Sequence, residues 1–189
     1  LAALAESKSH IEPQFVREHL ALSAANYQAY QMQKLNKGGS NVVSMGNDPN
    51  CTVDINIASI QQVIDDGASE IRLADTATYS EDILISNKSI SVRGGFADCD
   101  DANNDIQQST KTLITGTGSD PVIRISGSDS TYNINFQNLD IRNGQGGDFF
   151  PGGGISTLSS DSNITLDNVY IANNKGSFGG GIAINSGET

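Results

Sequence analysis

The sequence is poor in aromatic and basic residues, and these shortages exclude several classes of protein. Tryptophan is absent, aromatic residues make up 6% of the 189 positions, and the chain has only two histidines and two cysteines. Lysine and arginine number 11 against 22 acidic residues, so the formal net charge is −11. Proteins that bind nucleic acid or anionic membranes need clustered basic residues, and here lysine and arginine are scattered. We therefore expect no nucleic-acid partner.

Long apolar runs are also missing. No stretch approaches the roughly 18 apolar residues that a membrane-spanning helix requires, so we expect no transmembrane segment. The first residues, LAALAES, include Ala3-Leu4-Ala5, a small-x-small pattern found at the end of cleaved secretory signals. An alanine-rich helix start is the alternative interpretation of residues 1–5.

The first part of the chain is rich in helix-forming residues. The segment 13–37 begins with a proline and is followed by a glycine pair, which predicts a helix with ordinary start and stop signals. Residues at helical spacing form one apolar stripe along it: Val16, Leu20, Ala24 and Tyr27. We interpret residues 1–39 as an N-terminal helical arm.

A linker and a short cap are predicted next. The segment GGSNVVSMGNDPN, residues 38–50, has the composition of a linker, and residues 40–57 are interpreted as the linker and the start of the cap. The segment ASIQQVIDD, residues 58–66, predicts a capping helix in which Ile60, Val63 and Ile64 share a face.

A repeat occupies the second half of the chain. NINFQNLDIRN at 133–143 aligns with NITLDNVYIAN at 163–173, and the word GGGI at 152–155 recurs at 179–182. Within each copy, apolar residues alternate, skip one place and alternate again, which indicates two short strands joined by a corner. Asn138 and Asn168 stand at that corner, where tolerance of left-handed backbone is useful.

Repeats of this kind are typical of stacked structures whose units cannot bury an apolar face alone. The pattern predicts an all-β fold, a right-handed single-stranded parallel β-helix with three strands per coil, over residues 58–189. Asn143 and Asn173 fall at equivalent turns, where their amides could form a ladder or serve only as turn residues. The residues expected to face inward are Ile83, Ile85, Ile90, Val92, Ile123, Ile125, Ile134, Phe136, Leu139, Ile141, Ile155, Ile164, Leu166, Val169, Ile171, Ile182 and Ile184.

The chain from about 51 to 187 resembles the N-terminal part of bacterial right-handed parallel β-helix repeat proteins. It is also similar to the polymorphic outer membrane protein repeat, through SIQQVIDD, VRGGF and the two GGGI words with their NVYIANN-type partners. The resemblance implies a domain that is secreted or displayed on the bacterial surface, commonly at the head of a longer chain. No capping helix is predicted after the second GGGI, so we expect the polypeptide to continue beyond residue 189.

The two cysteines flank the predicted cap. Cys51 precedes the capping helix and Cys99 follows the VRGGF strand, so a disulfide between them would tie the cap to the first coil, as is common in extracytoplasmic proteins. Two free buried thiols are the alternative. Zinc is not expected, because no histidine lies near either cysteine.

The acidic segment 97–105 is the candidate metal site. Its carboxylates would provide hard oxygen ligands on a flexible loop, as calcium prefers, although acidic loops are commonly just solvated. The candidate calcium ligands are Asp98, Asp100, Asp101 and Asp105.

The candidate ligand contacts lie around the loop 144–151, GQGGDFFP. At least one of Phe149 and Phe150 is expected to be exposed in this glycine-flanked loop, and Arg142 and Asp140 are expected on the neighbouring outward face. We therefore predict a scaffold, an adhesin or a ligand-binding protein whose partner is a glycan or a surface protein.

An enzyme is the alternative function, specifically a polysaccharide lyase or glycoside hydrolase in which a strand arginine acts as base. It is less favoured because both histidines, His10 and His19, lie in the arm, and the predicted repeat region therefore lacks an imidazole for general acid-base catalysis. A second alternative is a purely structural cap of a longer surface fibre.

Overall fold

The structure is a computed structural model that describes residues 14–36, 41–128, 130–158 and 162–184. Within the first helix, side chains are described for residues 17–32. The helices are α1 (Gln14–Asn36), α2 (Ile60–Asp65) and α3 (Cys99–Asn104). The strands are β1 (Val42–Gly46), β2 (Val53–Asp54), β3 (Glu70–Ala74), β4 (Tyr79–Ser80), β5 (Ile83–Ser86), β6 (Ile90–Phe96), β7 (Thr112–Thr115), β8 (Ile123–Ser126), β9 (Tyr132–Gln137), β10 (Leu139–Arg142), β11 (Ile155–Thr157), β12 (Ser162–Asp167), β13 (Tyr170–Ala172) and β14 (Ile182–Ile184).

The strands form three sheets, and all pairings between them are parallel. Sheet A has six strands in the order β12-β9-β6-β3-β1-β2. Sheet B has four strands in the order β13-β10-β7-β4, and sheet C has four in the order β14-β11-β8-β5. Consecutive strands of the chain therefore mostly belong to different sheets, and each sheet is built from strands that are distant in sequence.

The expectation of an all-β, right-handed parallel β-helix is wrong. The described residues include three helices, about 18% of the chain, and the three parallel sheets are not closed or coiled, which is a parallel α/β-like arrangement. The physical reason is that period-two alternation is shared by any strand with one buried face. It specifies which residues pair and which face inward, and it leaves open how separate sheets are joined.

The repeat itself is confirmed by the pairing register. β12 lies beside β9 so that each residue of the second copy is opposite its equivalent in the first, as Ile164 is opposite Ile134. The GGGI words are stacked in the same way, because Ile182 is opposite Ile155 and Gly179 is bridged to Gly152. Equivalent positions of the two copies are therefore neighbours in space.

The core is mostly as predicted. Eleven of the expected inward residues are buried, and Ile164, Val169 and Ile171 pack partly buried against them. The prediction is wrong for Leu166, Ile182 and Ile184, which are 38%, 42% and 74% exposed. Their strands are the terminal strands of sheets A and C, with a neighbouring strand on one side only.

The structure has a helix in each of the two segments predicted to be helical, as α1 and α2, but the segment between them is not a linker. Residues 42–46 form β1, which lies between β3 and β2 in sheet A. α2 is capped at its start by Ser59, whose side chain accepts from Gln62 N, and by the Glu81 carboxylate, which accepts from the backbone amides of residues 60 and 61. The pKa of the Glu81 carboxyl group is raised, and the main cause is burial of this side chain.

The apolar stripe of α1 is not buried as a unit. Leu20 is 39% exposed and Ala24 is exposed, Tyr27 is half-buried, and the side chain of Val16 lies outside the described residues. The buried residues of α1 are Ser23 and Tyr30, which are 1% and 3% exposed, and Tyr30 belongs to the hydrophobic core. The helix is attached to the body by these tyrosine rings together with hydrogen bonds, as described below.

The asparagine corners adopt left-handed backbone, as their positions predict. Asn138 and Asn168 have φ of 53° and 52°, and Asn168 Nδ2 donates to Asn138 Oδ1 at 2.7 Å. Asn143 and Asn173 are also left-handed, but Asn143 Nδ2 donates to Thr115 Oγ1 at 2.9 Å. Amide contacts therefore join Asn138 to Asn168 and also Asn133 to Asn163. For Asn143 and Asn173 the left-handed backbone fits the alternative interpretation, in which they serve as turn residues.

Candidate functional site

The predicted disulfide is confirmed. Cys51 and Cys99 are bonded, with Cα atoms 4.9 Å apart, and they are 1% and 0% exposed. The bond joins the segment before β2 to the start of α3. A buried disulfide is consistent with an extracellular or oxidising environment.

The disulfide has one carboxylate neighbour. Asp48 Oδ2 accepts a hydrogen bond from Cys99 N at 3.0 Å. Within the described ranges, Asp48, Cys51 and Cys99 form the one group of three acidic, histidine or cysteine side chains whose ligand atoms lie within 4.8 Å. Because both sulfurs are committed to the disulfide, this group offers no thiolate for a metal.

The acidic segment 97–105 is not a flexible loop, because most of it forms α3. Asp98 is the N-cap, and its Oδ1 accepts from Asp101 N at 2.9 Å. Asp100 Oδ2 accepts from Asn50 Nδ2 at 2.9 Å, and Asp101 Oδ2 accepts from Gln108 Nε2 at 3.4 Å. These three carboxylates therefore have different structural partners instead of converging on one point.

Asp105, the fourth predicted calcium ligand, follows α3 with left-handed backbone. Its carboxylate is 2.8 Å from Arg93 Nη1 and 3.3 Å from Arg72 Nη2. Two guanidinium groups satisfy this carboxylate, so its environment favours an ion pair over a divalent cation. Calcium binding remains a prediction without support from this geometry.

The arginines on strands are all engaged in ion pairs. Arg72 and Arg93 share Glu70 at 2.6 and 3.0 Å, Arg124 lies 3.5 Å from Asp120, and Arg142 lies 2.6 Å from Asp140. These pairs leave each guanidinium with a carboxylate partner within the fold.

Arg142 and Asp140 form the most complete of these pairs. Arg142 Nε and Nη2 donate to the two carboxylate oxygens at 2.7 and 2.6 Å. The hydrogen bonds to Asp140, together with its charge, raise the pKa of Arg142. A catalytic base would require the opposite shift, so this arginine is poorly suited to abstract a proton.

Tyr170 completes this cluster and was missed by the sequence reasoning. The guanidinium of Arg142 lies 5.5 Å from the centre of the Tyr170 ring, a cation–π distance. Tyr170 is directly opposite Asp140 in the register of β10 and β13. The alignment of the two repeat copies was the signal that could have found it, because it places these two residues at equivalent positions.

The two loops that precede the GGGI words are stacked and joined by hydrogen bonds. Gly146 N donates to Lys175 O at 2.6 Å, and Gly153 N donates to Gly179 O at 3.0 Å. Ser177 Oγ donates to Gly147 O at 3.0 Å. The loops 144–151 and 174–181 therefore form one supported surface instead of two independent segments.

The glycines of the first GGGI word are required by this stacking. A Cβ atom on Gly153 would lie 2.4 Å from Lys175 O, and one on Gly154 would lie 2.5 Å from Ile171 Cγ2. Atoms of the neighbouring repeat occupy the space that a side chain would need. The first GGGI word is therefore a packing requirement of the stacked loops, whereas a Cβ atom on Gly181 of the second word would meet its nearest neighbour at 3.9 Å.

Two phenylalanines project from this surface. Phe149 and Phe178 are 84% and 86% exposed, which is unusual for large apolar side chains. The expectation that at least one of Phe149 and Phe150 is exposed is confirmed for Phe149. Phe150 is half-buried, with Arg124 5.6 Å from its ring centre.

We call Phe149, Phe178, Asp148 and Pro151 the aromatic loop surface. A cleft of about 450 Å³ adjoins it, lined by Asp148, Pro151, Phe178 and the strand β14. Phe178 was missed by the sequence reasoning, although it immediately precedes the second GGGI word, as Pro151 precedes the first.

The histidines are remote from this surface. His19 lies on α1, with Nε2 2.9 Å from Asp54 Oδ2, and His10 lies outside the described residues. No helix in the described part of the chain combines the length and the apolar character needed to cross a bilayer. Comparison with protein-family models, with curated proteins and with solved structures finds no match for this chain.

Proposed function

We propose that this protein is a secreted or cell-surface bacterial scaffold that binds a ligand through the aromatic loop surface. The exposure of Phe149 and Phe178 is the observation that carries this proposal. Large apolar side chains held in water by a rigid backbone lower the cost of ordering a binding surface, and such side chains dominate many contact sites. The ligand is a glycan or a protein of another surface.

Two observations support the proposed secreted or cell-surface location. The buried disulfide fits an oxidising compartment, and the repeat words resemble those of bacterial surface proteins. The composition is compatible with this location, because a net charge of −11 favours solubility and disfavours a polyanion partner.

The enzymatic alternative has weaker support. A lyase would need an arginine or another base free to take a proton, and the strand arginines have carboxylate partners. His19 is bonded to the buried Asp54 of β2, which lies at the opposite end of sheet A from β12. The third candidate, a structural cap of a surface fibre, needs no exposed aromatic side chain.

The test is a binding screen with the 189-residue chain on immobilised polysaccharides and on surface proteins. The double variant Phe149→Ala/Phe178→Ala should lose binding, and Ile106→Ala should retain it. Ile106 is a matched control because it is also a well-exposed apolar side chain, at 54%, but follows α3. Binding that survives the double substitution would move the site elsewhere.

A parallel assay separates the enzyme from the scaffold. The chain is incubated with acidic and neutral polysaccharides, and unsaturated products and new reducing ends are followed. We expect neither. Turnover that is abolished by Arg142→Lys would overturn the scaffold proposal in favour of the lyase, and absence of both binding and turnover would favour the fibre cap.

A further inference from the structure

We infer that the aromatic loop surface recognises an uncharged glycan, whose sugar rings stack on Phe149 and Phe178. This inference rests on the proposed binding function and goes further by committing to one chemical class of ligand. Three properties of the surface lead to it: its planar apolar groups, its rigidity and its charge.

The planar groups are suited to sugar rings. One face of a pyranose ring presents C–H bonds, which are apolar and slightly positive, and the face of a phenyl ring is slightly negative. Phe149 and Phe178 are 84% and 86% exposed, so their ring faces are accessible to a flat ligand. A protein partner would be expected to bury such rings in pockets, whereas a sugar needs only an open platform.

The rigidity comes from the bonds between the loops. Gly147 N donates to Phe150 O at 2.9 Å within the first loop, and Phe178 N donates to Pro151 O at 3.4 Å between the loops. The two loops belong to stacked repeats, so their backbones are about 4.8 Å apart where they pair. The phenyl groups are therefore displayed from adjacent layers, and little backbone entropy is lost when a ligand spans both.

The charge of the surface distinguishes neutral from acidic glycans. Loop 144–151 contains one charged residue, Asp148, and loop 174–181 contains one, Lys175, so their formal charges cancel. An acidic sugar is ordinarily held by arginine in a two-pronged contact. The nearest strand arginines, Arg124 and Arg142, already contact aspartates, and the net charge of −11 opposes a polyanion.

Polar groups for sugar hydroxyls are also present. Hydroxyl groups donate and accept hydrogen bonds, so they can pair with the carboxylate of Asp148 at the edge of the cleft. Uncharged glycans offer many such hydroxyls and no charge that must be neutralised. A platform with one adjacent acceptor is therefore sufficient for orientation.

The experiment measures binding of soluble β-glucan, mannan and xyloglucan, with polygalacturonate and heparin as acidic probes, by affinity electrophoresis and calorimetry. We expect the 189-residue chain to bind at least one neutral probe and neither acidic probe. Phe149→Ala and Phe178→Ala should each weaken that binding by about tenfold, the size of one lost aromatic contact.

Two further variants test stacking directly. Phe149→Trp keeps a planar ring and should retain binding, whereas Phe149→Leu keeps apolar bulk without a ring face and should behave like the alanine variant. Ile106→Ala is the surface control, and circular dichroism of each variant checks the fold. Equal binding by the leucine variant would overturn the stacking inference.

The remaining outcomes separate this inference from the proposed function. Binding only to the acidic probes would overturn the neutral class and leave a glycan-binding surface. Binding to a surface protein that depends on Phe149, with no glycan bound, would overturn the glycan inference and leave the proposed function standing. No binding to any probe or surface protein would overturn both.

Discussion

The body of three sheets and the helix α1 are held by different kinds of interaction. In the sheets, aliphatic side chains such as Ile114, Ile123 and Ile141 are completely buried. α1 adds one buried ring, Tyr30, to the core. Most of its hydrogen bonds go to two body carboxylates, of which the first is Asp54, whose Oδ2 lies 2.9 Å from His19 Nε2 and 2.8 Å from Ser23 Oγ. Burial of apolar area stabilises regardless of direction or pH, whereas hydrogen bonds to a carboxylate depend on geometry and ionisation.

The second carboxylate is Asp66, which follows α2. Tyr27 OH and Gln31 Nε2 donate to its Oδ2 at 3.2 and 2.6 Å. On the outward side of α1, Leu22 and Met32 are 47% and 66% exposed. The docked side of this helix therefore combines hydrogen bonds with the buried Tyr30, and the comparison teaches that α1 is the part of the fold most readily separated from the rest.

The disulfide is expected to make one of the largest single contributions to stability. The double variant Cys51→Ser/Cys99→Ser removes a bond between cysteines with a sequence separation of 48, and we expect it to lower the free energy of unfolding by about 4 kcal/mol. The bond also holds the segment on which α1 rests, since Asn26 Nδ2 donates to Cys51 O at 3.1 Å. Chemical denaturation measures the change, and a loss below about 1 kcal/mol would contradict the prediction.

Truncation of the sheet core should cost nearly as much. Ile141→Ala removes a fully buried side chain of β10 and should lower the free energy of unfolding by about 2–5 kcal/mol. The matched control is Leu20→Ala on α1, whose side chain is 39% exposed and which should change stability by about 0.5 kcal/mol or less. Equal losses of stability in the two variants would contradict the proposed difference between the sheets and α1.

Asp54→Asn should release α1 without unfolding the sheets. It removes the charge that strengthens the hydrogen bonds from His19 and Ser23, and we expect a loss of about 1–3 kcal/mol. Hydrogen exchange should quicken in α1 and remain slow in β10. Quickening of exchange throughout the sheets would show that α1 and the sheets unfold as one unit.

The same contact predicts a dependence on pH. Burial pushes the pKa of Asp54 upward, but hydrogen bonds from Asn56, Ser23 and His19 outweigh it, so the pKa is lowered. A lowered pKa in the folded state means that this stabilisation is present above the ordinary pKa of about 4 and is lost as the pH falls through the folded value. Protection of α1 amides, corrected for intrinsic exchange rates and followed from neutral to acidic pH, should show this loss. Asp54→Asn should make the loss smaller, while the contacts of α1 with Asp66 remain.

The aromatic loop surface should contribute least to stability. Phe149→Ala removes a ring that is 84% exposed, so we expect a change of about 0.5 kcal/mol or less. Phe136→Ala, at a position 1% exposed, is the contrasting core substitution and should cost about 3–5 kcal/mol. A large stability loss in the first variant would mean that the ring is structural and would weaken the proposed binding role.

Sequence reasoning located the repeat, the disulfide and most of the core. For the core the reason is local, because alternation at period two, as in Ile83 and Ile85, identifies a buried face from strand geometry alone. The same reasoning failed for the fold class, because the way in which sheets are joined depends on corners and on contacts between distant segments. It also gave no sign that Asp105, which follows α3, is paired with Arg72 of β3 and Arg93 of β6.

The amino-acid sequence by itself determined which strands are equivalent, since the aligned words of the repeat reappear as paired strands in register. It also determined the left-handed corners at Asn138 and Asn168, because that conformation depends on the residue and its neighbours. The tertiary structure alone decided that α1 docks through Ser23 and Tyr30 and that Phe178 joins Phe149 on one surface. Both depend on what stands opposite each side chain in space, and local periodicity contains no information about that partner.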